Sequence, residues 1–190
     1  MSRPSLRAKF LASALKSFHC SGFKACTIED IADAAGAFKG SFYNHFKSKE
    51  AIAITTVEIY AAGAISMLAT EGPPSPIKRL RQHFERLIAY NREHHFPQGC
   101  LLANLSAELT DETGELRTAI NAEMKKWYDA LAIVIRQAQT AGEINKRHKP
   151  DQLARYIINA WEGASLRVRA SKSGAPLEDF LKVTFDCILR

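Results

Sequence analysis

Cysteine is scarce in this 190-residue chain: Cys20, Cys26, Cys100 and Cys187 form no Cys-x2-Cys pair and no regular framework. That excludes a disulfide scaffold and a zinc ribbon, and it fits a reducing cytoplasm. Long apolar runs are missing too. The longest uncharged apolar stretch, Ala61 to Ala69, falls short of the ~20 residues that span a bilayer, so no membrane partner is expected. The opening MSRPSLRAKF has no apolar run followed by a cleavage site and gives no sign of export. No segment alternates apolar and polar residues for long enough to argue a strand. Catalytic signatures are equally sparse. Adjacent His94 and His95 cannot both reach one metal from a regular helix, and no His-x3-His or Glu-x2-His pair occurs. No Gly-rich phosphate loop or nucleophile elbow is present, so neither an enzyme nor a cofactor is expected.

What remains is a globular composition, 46% apolar and 24% charged, with a net charge of +6. The charge is uneven: residues 1–50 hold eight Lys or Arg against four acids. A basic end on a near-neutral body suits a polyanion, although a charged face also serves solubility. Helical periodicity runs throughout, and it predicts an all-α protein of about nine helices. Leu6, Phe10, Leu11, Ala14, Leu15 and Phe18 mark the first helix, with Gly22 as its stop. Thr27 with Asp30 gives a capping-box signature for a short second helix ending at Gly36. A third helix is expected from about Phe38 to Phe46, and Ser48 caps a long fourth to about Leu68. The cluster Gly72-Pro73-Pro74-Ser75-Pro76 breaks the chain most strongly. Further helices are expected at about 77–93, 99–109, 116–141, 151–170 and 177–189.

Two short helices joined by a glycine turn are the helix-turn-helix arrangement, and they also suit a plain helical hairpin. Ala32 is small enough for a close crossing, and Gly36 supplies the left-handed turn. Ile31 and Phe42 face inward on this reading. Lys39, Ser41, Tyr43 and Asn44 face outward, a set able to bond phosphates and base edges.

The linear pattern is more specific. Phe18-x3-Gly22-Phe23, Thr27-x3-Ile31-Ala32-x2-Ala35-Gly36 and the run from Lys39 to Ala51 (KGSFYNHFKSKEA) closely resemble the N-terminal domain of TetR-family transcriptional regulators. The resemblance covers about residues 7–52. It implies a helix-turn-helix domain over 1–48 and a ligand-binding and dimerisation domain over 49–190, with helix 49–70 connecting them. It also implies a homodimer on a double-stranded, palindromic DNA operator, released by a small-molecule effector; a ligand-independent protein or an activator are the alternatives. Carried over, the pattern makes Thr27 and Lys49 phosphate contacts and puts Lys39, Gly40, Ser41, Tyr43, Asn44 and His45 on the recognition helix. His45 has packing as its other role. The match departs at Ala37-Phe38, where the family usually has Val-Ser. The lost serine removes an N-cap worth about 1 kcal/mol, and Phe38 either packs in its place or touches a thymine methyl.

In the remaining body, the resemblance assigns dimerisation to the last two helices, with Tyr156, Ile157, Ala160, Ala164, Leu177, Phe180, Leu181 and Phe185 as candidates. Periodicity alone does not separate such an interface from an internal core. Phe96, Asn104, Trp127 and Trp161 are candidate ligand contacts with the same ambiguity. Cys100 sits at the expected start of a helix near His94 and His95. Those neighbours would stabilise a reactive thiolate; a buried, inert thiol is the other reading. The run from Pro97 through Gly99-Cys100-Leu101-Leu102 to Asn104 is similar to that of a TetR subgroup with electrophile- and oxidant-responsive repressors. Cys20, Cys26 and Cys187 read as core or near-core, and Glu108 with Asp111-Glu112 as a solvated helix end.

Overall fold

The computed structural model describes residues 4–69, 75–93, 99–110 and 113–189. Nine α-helices account for most of the described residues, which contain no strand. Helix α1 spans Leu6–Ala25, α2 Ile28–Ala34, α3 Lys39–Phe42 and α4 Lys49–Ala69. They are followed by α5 Pro76–Glu93, α6 Leu101–Ser106, α7 Gly114–Thr140, α8 Pro150–Ser171 and α9 Ala175–Val183. A π-helical turn, Thr184–Ile188, extends α9.

Local chemistry sets most boundaries. Ser5 caps α1, and its oxygen accepts the Ala8 amide at 3.2 Å. Gly22, with φ 83° and ψ 175°, breaks the helix before its last turn, near the expected stop. The Thr27–Asp30 capping box forms in full. Helix α2 ends in a Schellman closure: Gly36, at φ 65°, bonds Asp33 while the Ala37 amide bonds Ala32 at 3.0 Å. Ser48 caps α4 through the Ala51 amide at 3.0 Å. Two helices are shorter than the periodicity suggests. Helix α3 stops at Phe42 and passes into turns through His45, and α6 is only six residues long.

Phe10, Phe18, Ile31, Phe42 and Phe46 form the core under α1–α3, with Phe42 edge-on to Phe10 at 5.6 Å between centroids. Helix α4 carries the chain into the second half. By length and composition it is apolar enough to cross a membrane. Here Ile52, Ala53, Val57 and Ala61 are fully buried, and α4 packs on α1, α5, α6 and α7. The second core centres on Phe84, Trp127 and Trp161, with Phe84 5.5 Å from Trp161 and 5.0 Å from Phe180.

The free cysteines divide two ways. Cys26 and Cys100 are buried, whereas Cys20 and Cys187 are exposed, contrary to the reading of both as near-core.

Candidate DNA interface and effector region

The face made by the α2 start and α3 holds nearly all the residues expected to meet DNA. Phe38, Lys39, Gly40, Tyr43, Asn44 and His45 are exposed, and Ser41 is half-buried. Nothing lies within 4 Å of where a Cβ on Gly40 would stand, so another backbone has room to approach. Tyr43 is 53% exposed with its ring edge-on to Phe42 at 5.5 Å, which fixes the ring on the buried core. His45 is exposed, and its ring also tilts over Phe10 at 5.8 Å, the packing that was its other expected role. Phe38 occupies the N-cap of α3 without any side-chain cap, as the missing serine predicts.

Charge on this face is partly neutralised within the chain. Lys39 is ion-paired with Glu29. Their hydrogen bond holds the Glu29 carboxyl below its usual range and raises the Lys39 ammonium. Thr27 donates its hydroxyl to Asp30 at 2.7 Å and its amide at 2.8 Å, bonds that lower the Asp30 pKa. Its contact to a phosphate would share that cap.

Lys49 differs from expectation. Its Nζ donates to the carbonyls of Phe23 at 2.8 Å and Cys26 at 2.9 Å, with Lys24 at 3.5 Å. The ammonium also stands 4.5 Å from the Phe23 ring centroid. It therefore closes the C-terminus of α1 from inside the protein, where sequence reasoning had aimed it at a phosphate.

Two acids that sequence reasoning passed over tie the two halves together. Glu50 Oε1 accepts the Leu116 amide at 2.9 Å and so supplies an N-terminal anchor to α7. Glu108, just past α6, accepts the Lys24 amide at 2.9 Å and lies over Gly22. A Cβ on Gly22 would stand 2.1 Å from Glu108 Oε1, so a carboxylate fills the space glycine leaves. Glu108 is thus a clasp on α1 rather than a solvated helix end. Asp111 and Glu112, like Phe96, His94 and His95, lie outside the described residues. The distance in sequence, 84 residues, hides this contact from any local pattern.

Two of the candidate effector residues, Cys100 and Asn104, lie on α6, Cys100 at its N-cap. Cys100 is 1% exposed, and burial pushes its thiol up to about 11 despite the pull of nearby amides and the Tyr60 hydroxyl. Of the two readings of Cys100, the enclosed, buried thiol is the one these surroundings favour, because burial disfavours the thiolate. Tyr60, from α4, donates to it, and burial raises the phenol well above its ordinary range. Helix α8 packs on α6 and carries Trp161, Glu162 and Ser165. Trp161 Nε1, Glu162 Oε1 and Ser165 Oγ are buried and find no hydrogen-bond partner among the described residues. Desolvation lifts the Glu162 carboxyl to about 7. Gly99 presses on this helix; a Cβ there would meet the Ser165 carbonyl at 2.9 Å. Asn104 is buried nearby on α6.

Trp127 stands apart, donating to His83 Nε2 at 3.1 Å within the α5–α7 core. A cleft of about 190 Å³ between α1, α4 and α5, lined by Leu15, Ile59, Tyr60, Leu87 and Tyr90, reaches Tyr60 from the surface. A larger open groove, about 480 Å³ between α5 and α9, is rimmed by charges already paired as Arg81–Asp186 and Arg92–Glu178.

The dimer candidates split. Ile157, Leu177, Phe180 and Phe185 are buried in this chain's own core, so their side chains are not an outer surface. Tyr156 is exposed, and Ala160, Ala164 and Leu181 are half-buried. They share the outer side of α8 and α9 with exposed Gly163, Leu166 and Val183.

Comparison with known proteins identifies the family. The family described as bacterial regulatory proteins, tetR family, matches residues 10–55, and the tetracyclin repressor-like C-terminal domain matches residues 76–184. The chain belongs to the TetR family. It is a helix-turn-helix, DNA-binding transcriptional regulator. Among its relatives is the HTH-type transcriptional repressor DhaR of Mycobacterium sp. (strain GP1), 32% identical over 192 aligned positions, covering 100% of this chain and 95% of DhaR. The repressor NemR of Escherichia coli (strain K12) is 29% identical, covering 84% of this regulator and 82% of NemR. A solved TetR regulatory protein from Rhodobacter sphaeroides superposes with a TM-score of 0.88 at 28% identity, covering 94% of this chain and 96% of that one.

Proposed function

We propose that this regulator is a repressor that binds a palindromic operator as a homodimer and leaves it when a small molecule binds between α6 and α8. Two relatives carry the name repressor, which favours repression over activation. The α2–α3 face presents Thr27, Lys39, Gly40, Ser41, Tyr43, Asn44 and His45 to the major groove, with phosphates drawn by charge and base edges by the hydroxyls and amide. The exposed side of α8 and α9, from Tyr156 through Ala160, Gly163 and Ala164 to Leu181, meets the same surface of a second copy. Twofold symmetry then requires a palindrome.

One observation carries the effector reading. Cys100 caps the start of α6, the facing helix α8 carries three buried polar atoms that find no partner among the described residues, and Glu108, just past α6, holds the kink of α1. A ligand that bonds Glu162, Ser165 or Trp161 would shift α6 and so act on the α1 frame that carries α2 and α3. Asn104, buried on α6, belongs to the same set on this reading. Release by an electrophile would have to begin by exposing and deprotonating Cys100.

The test is fluorescence anisotropy of labelled operator, selected from a random duplex pool, with a panel of small molecules added to the preformed complex. Release by a compound that no longer acts on Ser165→Val supports the reading. Operator binding that ignores every compound and also ignores substitutions at Glu162, Ser165 and Cys100 refutes it. N-ethylmaleimide with Cys100→Ser as control separates covalent from noncovalent release. A reporter under the selected promoter distinguishes repression from activation.

A further inference from the structure

The most exposed large apolar side chain among the described residues is Phe38, at 86%. Its place gives that exposure a purpose. It stands at the head of α3, directly before Lys39 and open Gly40, on the face that carries Tyr43 and Asn44. Packing on the protein, the first of its two expected roles, does not occur, since the ring is almost wholly in solvent. Folding does not call for it either. The N-cap backbone is extended, with φ −76° and ψ 144°, and a serine or threonine there would bond the first amides of the helix. The chain thus forgoes a cap and holds an aromatic ring in water beside its DNA-contacting groups.

Within a major groove, the one apolar group that base pairs display is the thymine 5-methyl. The neighbouring cation, hydroxyl and amide are already suited to phosphates and polar base edges, and Phe38 adds the complementary apolar contact. We propose that Phe38 is a specificity-determining residue that reads a thymine methyl in each half-site of the operator. The proposal rests on the placement of α3 in the major groove.

The experiment uses the full-length protein and the operator selected from a random pool. Each thymine is replaced in turn by deoxyuridine, which removes only the methyl, and dissociation constants are measured at fixed salt. One thymine per half-site is expected to matter. Losing its methyl weakens the wild type about fourfold, and losing both symmetric methyls about sixteenfold, the size of one buried methyl-sized group per half-site. Phe38→Ala, checked by circular dichroism for an unchanged fold, binds more weakly and ignores the same replacement. Placing 5-methylcytosine opposite guanine at the read position, against plain cytosine, restores part of wild-type affinity and none for Phe38→Ala.

Equal wild-type affinity for the thymine and uracil operators overturns the proposal. So does a Phe38→Ala variant that loses the same factor as wild type, because another residue is then reading the methyl. DNA bending that depends on Phe38 without methyl dependence overturns it in favour of a wedge between base steps. If the pool yields no bound sequence at all, the placement of α3 falls together with this proposal; binding without methyl dependence removes this proposal alone.

Discussion

Glu108 is the place to break the link between the two halves of this regulator. Its carboxylate accepts the Lys24 amide at 2.9 Å, across 84 residues of sequence. A hydrogen bond to a charged group contributes about 1.5–3 kcal/mol, and the half-exposed position of Glu108 reduces that to about 1–2 kcal/mol. For a chain of this size, each kcal/mol moves the melting midpoint by about 2–4 °C. Glu108→Ala should therefore lower Tm by about 2–8 °C, and Glu108→Gln, which keeps an acceptor, by about half as much. The decisive assay is amide hydrogen exchange, in which the Lys24 amide should lose protection in Glu108→Ala before the α7 core does. A second measurement uses Gly22. Its left-handed backbone disfavours any side chain, and Glu108 also fills the space, so Gly22→Ala suffers twice in the wild type and once in a Glu108→Ala background. An unchanged Tm with unchanged Lys24 exchange, or strict additivity of the two substitutions, would refute the clasp.

Lys49→Met should cost about 2 kcal/mol through the lost carbonyl bonds and ring contact, while leaving the salt slope of operator binding intact; a slope lower by about one per half-site would return Lys49 to the phosphates. Glu29→Gln removes the partner of Lys39 and a negative charge from the DNA face. Operator binding should tighten a few-fold, with a steeper salt dependence in a shift titration, and weaker binding would mean Glu29 orients Lys39 productively. His83 and Glu162 give opposed pH limbs. Burial lowers His83 from 6.5 to about 4, so the unfolded chain binds the extra proton and stability falls as pH drops through that window, by about 2 kcal/mol near pH 5. Burial raises Glu162 from 4.5 to about 7, so stability falls as pH rises between those values. Denaturant midpoints against pH should lose the acid-side fall in His83→Gln and the opposite fall in Glu162→Gln, and identical profiles in both variants would contradict the assignments.

Local signals were legible in the sequence because their physics is local. The Thr27 capping box, the Gly36 turn, the Ser48 cap and the inward Ile31 and Phe42 all depend on neighbours within a few positions. The exposure of Lys39, Tyr43 and Asn44 was readable for the same reason, since α2 and α3 are short and adjacent. Lys49 was misread because its partners are carbonyls, which carry no sequence identity. Glu108 was misread because its donor is a backbone amide far along the chain. The dimer candidates failed in part because helix periodicity marks a buried stripe without saying what buries it: Phe180 and Phe185 meet Phe84, while Tyr156 stays outside. Cys100 shows the limit of motif chemistry. A helix start favours a thiolate, and burial, invisible in one dimension, outweighs it.

Lys49 and Glu50 are consecutive residues of opposite charge at the first turn of α4, and each secures a different half. One reaches back to close α1; the other reaches forward to hold the start of α7. A fragment cut at residue 48 would thus leave α1 with an open end and its sister piece with a lysine that has nothing to grip. Recombining DNA-reading modules among relatives would work only if the junction is placed downstream of this pair and Glu108 travels with the incoming Gly22. The peptide bond between two neighbours, rather than any linker, is the seam of this molecule.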